Sequence, residues 1–384
     1  MTSSPPSSPD ATPSPGGEPF TTQLQCGRPV TATHGLALYA LATRPPIVEV
    51  LDVSDPIKPA LLCLLSPAQG GSFAQAPNQV VFWIGDQLGS ADLASGKVVQ
   101  TARLPFSAYR GVYSPDGSTF AYRASIDTAG TISTRIDGGG YDRELYAQAP
   151  IGGHGGPGAG RGPFDSLEFS ADGQELLDFN AFRQSSGPDI FLVYRTRGIL
   201  GTYAPPDSFL IFQSTNALPA GWSRTGSTLY FFKSSQQGPI GELDSLEADG
   251  RQQTLAGGLT GVYWGRVAAS GANIVYDTYV SSPDHSCGGL PHLWTFNLAN
   301  RVASQLSAAI SSQPAFVTRT VVWSNQETTG QCGPGGESYP DGVIVAHDIS
   351  TGRDSVVDTT QTVPGIGGPP LPSPSTAYVL DVWF

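Results

Sequence analysis

No stretch of about 18 consecutive apolar residues occurs in this 384-residue chain, so nothing in it reads as a membrane-crossing helix. Basic residues are scarce. Twenty lysines and arginines stand against 32 aspartates and glutamates, a net charge of −12. That balance opposes binding to polyanions, and no Lys/Arg cluster reverses it locally, so nucleic acid and anionic lipid are not expected partners. Charge of either sign is thin at 14 %, low for a helix-rich soluble protein and normal for strands and turns. The four cysteines show no CxxC spacing of a local metal site. No GxSxG segment exists, which removes the nucleophile elbow of an esterase.

What is abundant is turn chemistry. Glycine (47) and proline (33) make up about a fifth of the chain, and hydrophobic residues at 39 % suffice for substantial cores. The length exceeds the usual domain of roughly 100–150 residues, but large all-β rings add small cores side by side and remain one domain. Residues 1–25 are dominated by Ser, Pro, Thr and Gly and are expected to be a disordered tether, with the folded domain over 26–384. The segment lacks the basic start and apolar stretch of a signal peptide. It has the composition of a tether following a removed export signal or lipid anchor, so an extracytoplasmic location is expected: secreted, periplasmic or cell-surface.

The rest alternates with period two, and two patterns recur. The first is an apolar residue followed four places on by Gly and then a strand: Tyr113 to Gly117, Phe169 to Gly173, Trp222 to Gly226 and Val267 to Gly271. A tight turn there needs positive φ, which Gly adopts without strain. The second is a strand ending in Asp or Asn, a short turn and another strand: Asp92 to Lys97, Asn297 to Arg301 and Asp348 to Arg353, with looser copies at Asp52 and Glu247. It joins the third and fourth strands of a unit. The units fall near 30–66, 72–105, 107–150, 164–207, 216–257, 261–310 and 312–362. Four strands per roughly 40–55 residues is propeller spacing. The fold class is all-β, a single β-propeller of seven four-stranded blades, with six or eight as alternatives. Ser375 to Phe384 reads as one more strand that closes the ring on the N-terminal unit. Leu298, Val302, Leu306 and Ile310 recur as on a helix face, but the repeat register sets a turn at Asn300 and two strands are expected.

The apolar-Ser-Pro-Asp-Gly-strand unit, seen best at Tyr113–Gly117 and nearly so at Phe169–Gly173, resembles the repeat of the TolB-like bacterial propellers. The stretch Ile47 to Pro56 is also similar to repeats of bacterial surface propellers. The later units lack the Asp. The resemblance implies a fold shared by envelope scaffold proteins, accessory domains of peptidases and a few lyases, and licenses no reaction.

Cys287 and Cys332 lie in Gly-rich loops one repeat apart, and equivalent loops of adjacent blades are neighbours. A Cys287–Cys332 disulfide follows, leaving Cys26 to pair with Cys63; four buried thiols are the alternative. Gly153 to Gly158 matches GxGxxG by letter but lacks the following helix, so no dinucleotide site is expected. Asp284, His285, Cys287 and His292 share one loop without metal-ligand spacing, and neither metal nor cofactor is assigned. Asp137 to Asp142 reads as a hairpin turn rather than a calcium loop. The better candidates start the innermost strands, at one mouth of the central channel: Tyr109, Arg110, Asp165, Ser166, Tyr263, Trp264 and Gln313. Aromatics with one Arg and one Asp suit a polar ligand or a peptide end; a merely filled channel is the plain alternative. The expectation is a scaffold for a protein, peptide or glycan, with a polysaccharide lyase or other hydrolase at the channel mouth as the alternative.

Overall fold

The computed structural model describes residues 20–383 except 32–33, 42–44, 75, 129–130, 149–165, 181–189, 216, 224–225, 235–239, 261–266, 271, 281–289, 308, 310, 328–341 and 358–376. The described chain forms seven antiparallel sheets. Blade 1 holds β1 (Gln23–Cys26), β2 (Leu36–Leu41), β3 (Ile47–Asp52) and β4 (Ala60–Ser66). Blade 2 holds β5 (Gly70–Ala74), β6 (Ala76–Ile84), β7 (Gln87–Asp92) and β8 (Lys97–Arg103). Blade 3 holds β9 (Ala108–Tyr113), β10 (Thr119–Ser125), β11 (Ile132–Gly138) and β12 (Tyr141–Gln148). Blade 4 holds β13 (Ser166–Phe169), β14 (Glu175–Asn180), β15 (Ile190–Arg195) and β16 (Leu210–Ser214). Blade 5 holds β17 (Ala217–Trp222), β18 (Leu229–Ser234), β19 (Ile240–Leu246) and β20 (Gln252–Thr260). Blade 6 holds β21 (Val267–Ser270), β22 (Asn273–Val280), β23 (Leu290–Asn297) and β24 (Val302–Gln305). Blade 7 holds β25 (Ser311–Phe316), β26 (Val321–Glu327), β27 (Gly342–Asp348) and β28 (Arg353–Val356). The C-terminal strand β29 (Ala377–Trp383) pairs antiparallel with β2 and becomes the innermost strand of blade 1.

The repeated turns form for the reasons their residues suggest. Gly117, Gly173 and Gly226 sit at φ of 69°, 70° and 83°. Asp92 accepts the N–H groups of Ala94 and Ser95, both at 2.9 Å. Asn297 accepts those of Ala299 at 3.0 Å and Asn300 at 3.1 Å. These Asx turns explain why each third strand ends in a short polar acceptor. The stretch from Leu298 onward is a turn and then β24, with Arg301 at φ 58°, rather than a helix.

Consecutive residues on a central strand point to opposite blades, so both faces of each sheet are buried. Leu38 packs toward blade 2 with Phe73 and Phe82, whereas Tyr39 packs toward blade 7 with Trp323 and Ile344. The same division makes the second strands read as unbroken apolar runs, such as Leu229 to Phe232, where Phe231 faces blade 4 and Phe232 faces blade 6. Among the described residues, every interface between neighbouring blades has its own apolar cluster, including the seam between blades 7 and 1.

β1 adds a fifth, outermost strand to blade 1. Cys26 lies directly opposite Cys63 on β4, and the two form a disulfide. The strand begins at Gln23, so the last residues of the 1–25 stretch pair with β4. Cys287 and Cys332 lie outside the described residues.

Glu49 on β3 faces Tyr39 across the pair with β2, in the seam between blades 1 and 7. It is 1 % exposed, and its Oε2 has no hydrogen bond among the described residues. Burial pushes its carboxyl up to about 7.

Two outcomes are expected. Replacing both Cys26 and Cys63 with Ser should cost about 3–4 kcal/mol of stability, because the bridge closes a 37-residue separation; denaturant unfolding measures it. Glu49 holds a proton in the folded chain more tightly than in the unfolded one, so its contribution to stability is full below the ordinary carboxylate range and falls as pH rises toward 7. The stability of Glu49→Gln relative to wild type should therefore rise over that window by about 2–3 kcal/mol, and unfolding curves at successive pH values would show it.

Candidate functional site

Successive antiparallel strands place two kinds of connection at opposite ends of the ring. The end where innermost strands begin receives the connections between second and third strands and those between blades. Segments 126–131, 181–189, 235–239, 281–289 and 328–341 are of the first kind, and 149–165 and 358–376 of the second. The other end carries short turns such as 93–96, 139–140, 298–301 and 349–352. The described strand ends at that mouth are therefore joined by the longer stretches of sequence.

Tyr109 and Arg110 lie on β9 near that mouth and are partly exposed. Ser166 begins β13 of the next blade. Gln313 lies on β25 of blade 7, apart from the other three. Asp165, Tyr263 and Trp264 lie outside the described residues, as do His154, His285 and the Gly153–Gly158 segment. Arg110 and Ser166 thus come together at the junction of blades 3 and 4, where further charged groups complete a cluster that sequence reasoning missed.

Arg110 is opposite Arg123 in the β9–β10 register, so both side chains point toward blade 4. Arg123 is fully buried and ion-pairs with Asp178 of β14, itself 2 % exposed. Its Nε donates to Asp178 Oδ1 at 3.2 Å, and Nη2 donates to the same oxygen and to the carbonyls of Ser166 at 3.1 Å and Phe179 at 2.7 Å. One guanidinium thereby ties blade 3 to the first two strands of blade 4. Glu168, on β13, meets solvent in part but is otherwise surrounded by protein, and burial raises its pKa. The positive charge of Arg110 and a hydrogen bond with Ser166 oppose that rise. The signal available in the sequence was Arg123 itself, a lone charge inside the apolar run Phe120 to Ala124.

A second polar chain crosses blade 7. Ser324 Oγ lies 2.7 Å from His347 Nε2, and His347 Nδ1 lies 2.7 Å from Asp354 Oδ1. The connectivity is that of a nucleophile, base and orienting acid. Ser324 is 2 % exposed and His347 is fully buried, so no substrate reaches the hydroxyl. The chain satisfies buried polar groups across β26, β27 and β28.

The Asp137–Asp142 segment is a hairpin turn, with Gly139 and Gly140 at φ 60° and 83°. Asp142 accepts from Tyr122 Oη at 2.6 Å and from Arg135 Nε at 2.8 Å, so its oxygens are committed within blade 3. Among the described residues, no group of three His, Cys, Asp or Glu side chains is placed to hold a metal ion.

A ring of six four-stranded sheets and one five-stranded sheet, closed by the C-terminal strand, makes the chain a seven-bladed β-propeller. No protein-family model matches it, and no curated protein matches its sequence. Solved structures do match. The tricorn protease superposes with a TM-score of 0.54 at 11 % identity, over 90 % of this chain and 36 % of that one, so this chain spans about a third of that protein's length. Oligogalacturonate lyase in complex with manganese gives 0.50 at 11 % identity, over 87 % and 89 % of the two chains. A putative TolB from Agrobacterium tumefaciens is also a neighbour, at 0.41 and 12 % identity over 73 % and 92 %. At these identities the likeness is one of fold.

Removing one partner of the blade 3–blade 4 ion pair should be far worse than removing both. Asp178→Ala leaves Arg123 buried without its carboxylate and should cost about 3–5 kcal/mol. An Arg123→Met, Asp178→Leu double variant should recover most of that loss. Thermal and denaturant unfolding of the three proteins checks both statements.

Proposed function

We propose that this propeller is an extracytoplasmic binding scaffold that recognises a protein, peptide or glycan through the mouth where its innermost strands begin. The observation that carries this reading is the uneven distribution of connecting chain. The strand ends at that mouth are joined by longer stretches of sequence, and nearly all joins at the other end are short turns. Long loops on a rigid scaffold supply contact area whose shape is set without disturbing the core. The contacts are assigned to Tyr109, Arg110, Asp165, Tyr263, Trp264 and Gln313. Arg110 offers a guanidinium at the blade 3–blade 4 junction, and aromatic and arginine side chains dominate interface energetics. The Cys26–Cys63 bridge supports an oxidising compartment. The acidic balance of the chain favours partners that are not polyanions.

The test is capture of envelope and secreted components of the source organism by cross-linking to the purified chain, alongside a glycan panel. One stoichiometric partner is expected, and Arg110→Ala with Trp264→Ala should weaken it at least about tenfold. Failure to retain any protein, peptide or glycan would overturn the reading. Stoichiometric metal with cleavage of a polysaccharide would replace it with the lyase alternative.

A further inference from the structure

The end opposite the proposed binding mouth has one connection that does not fit its pattern. Joins between third and fourth strands are short in the other blades, as at 93–96, 139–140, 298–301 and 349–352, but in blade 4 the join runs from 196 to 209. It is also fastened to the neighbouring blade. Arg143 of β12 donates to the carbonyls of Ile199, Thr202 and Ala204, and its guanidinium lies 5.4 Å from the centre of the Phe209 ring. Ile199, within the join, is fully buried. Gly138 makes room for Leu200 of the join, since a Cβ there would come within 2.9 Å of Leu200 Cδ1. One arginine clamp and one glycine seat hold this segment in place.

Between the fastened join and the two blades lies a cavity of about 310 Å³. That volume is at the lower end of small-molecule sites, roughly 300–1,000 Å³. Leu200 and the edge of Phe169, backed by the fully buried Ile136, give it an apolar wall, and Thr119, Gln174 and Arg197 give it polar groups. Thr196 donates its hydroxyl to the Gly173 carbonyl at 2.6 Å and so pins the start of the join beside the blade 4 turn. Arg197 is exposed and has no ion pair among the described residues, although the protein carries a net charge of −12. An uncommitted guanidinium beside an apolar wall matches a ligand with a short apolar body and one carboxylate.

We infer that the cavity between blades 3 and 4, walled by the 196–209 join, is a second binding site that takes a small amphipathic carboxylate. The apolar body lies against Leu200 and the edge of Phe169, and the carboxylate pairs with Arg197. The site is separate from the proposed mouth, at the other end of the ring, so the two assignments stand or fall independently.

The test uses phenylacetate as probe, with its uncharged isostere phenylacetamide beside it. Saturation-transfer NMR titrations on the full chain should give saturable phenylacetate binding with a Kd on the order of 1 mM. Arg197→Gln should weaken it about tenfold, and phenylacetamide should bind the wild type about tenfold more weakly than phenylacetate. Arg353→Gln, an exposed arginine change on blade 7, should leave phenylacetate binding unchanged. Because Arg197 is exposed, its replacement leaves the fold intact, and the isostere comparison needs no variant. Absence of saturable phenylacetate binding, equal binding to Arg197→Gln, or equal binding of the amide would each overturn the assignment.

Discussion

Every blade of this protein is apolar on both faces, and a sheet of that kind is stable only between two neighbours. A ring meets that condition for all seven sheets at once, provided it has no first and last member. The β2–β29 pairing supplies the proviso. By contributing the innermost strand of blade 1 from the far end of the chain, β29 covers an edge that β2 would otherwise leave unpaired. It also sets blades 1 and 7 side by side, where Tyr39 and Trp323 pack edge to face at 6.5 Å. The channel and its two mouths follow from that closure.

Polar groups buried between and within blades show how the ring is kept specific. Apolar layers are tolerant of sliding, whereas an ion pair is not. Arg123 reaches Asp178 and two carbonyls only in one relative placement of blades 3 and 4. Within blade 5, Lys233 meets Asp244, which is 1 % exposed. Within blade 7 the Ser324–His347–Asp354 chain links three strands. The last of these shows why constellation alone does not define an activity. Spacing suits proton relay, but a fully buried imidazole and hydroxyl serve packing.

The two ends of the ring therefore have different chemistry. One holds the starts of the innermost strands, with Arg110 and Glu168 sharing an electrostatic environment at the blade 3–blade 4 junction. The other is built of turns whose geometry is dictated by Asx acceptors and positive-φ glycines, interrupted by the fastened join of blade 4. Blades 3 and 4 contribute to both ends. The buried ion pair between them fixes how blades 3 and 4 sit against each other.

The repeat was legible in the sequence because its determinants are local. A turn needs glycine at Gly117, Gly173 and Gly226 and an acceptor at Asp92, Asn297 and Asp348, and those needs recur at fixed spacing whatever the neighbours do. Alternation and unit length then led to seven blades and ring closure, whereas the pairing of Cys26 with Cys63 came by elimination, once Cys287 and Cys332 had been placed in equivalent loops of adjacent blades. The candidate positions at strand starts were legible only as positions: Tyr109, Arg110 and Ser166 were found by counting along the repeat. What surrounds them was not, because the partners come from another blade. Arg123 and Asp178 are 55 residues apart, and nothing in either local stretch names the other. The same holds for Glu49, whose raised pKa comes from burial in the seam with blade 7, and for the cavity under the 196–209 join, whose clamp, Arg143, belongs to blade 3. Local hydrogen-bonding needs can be written into a few adjacent residues, whereas burial and charge pairing between blades exist only once the ring has closed.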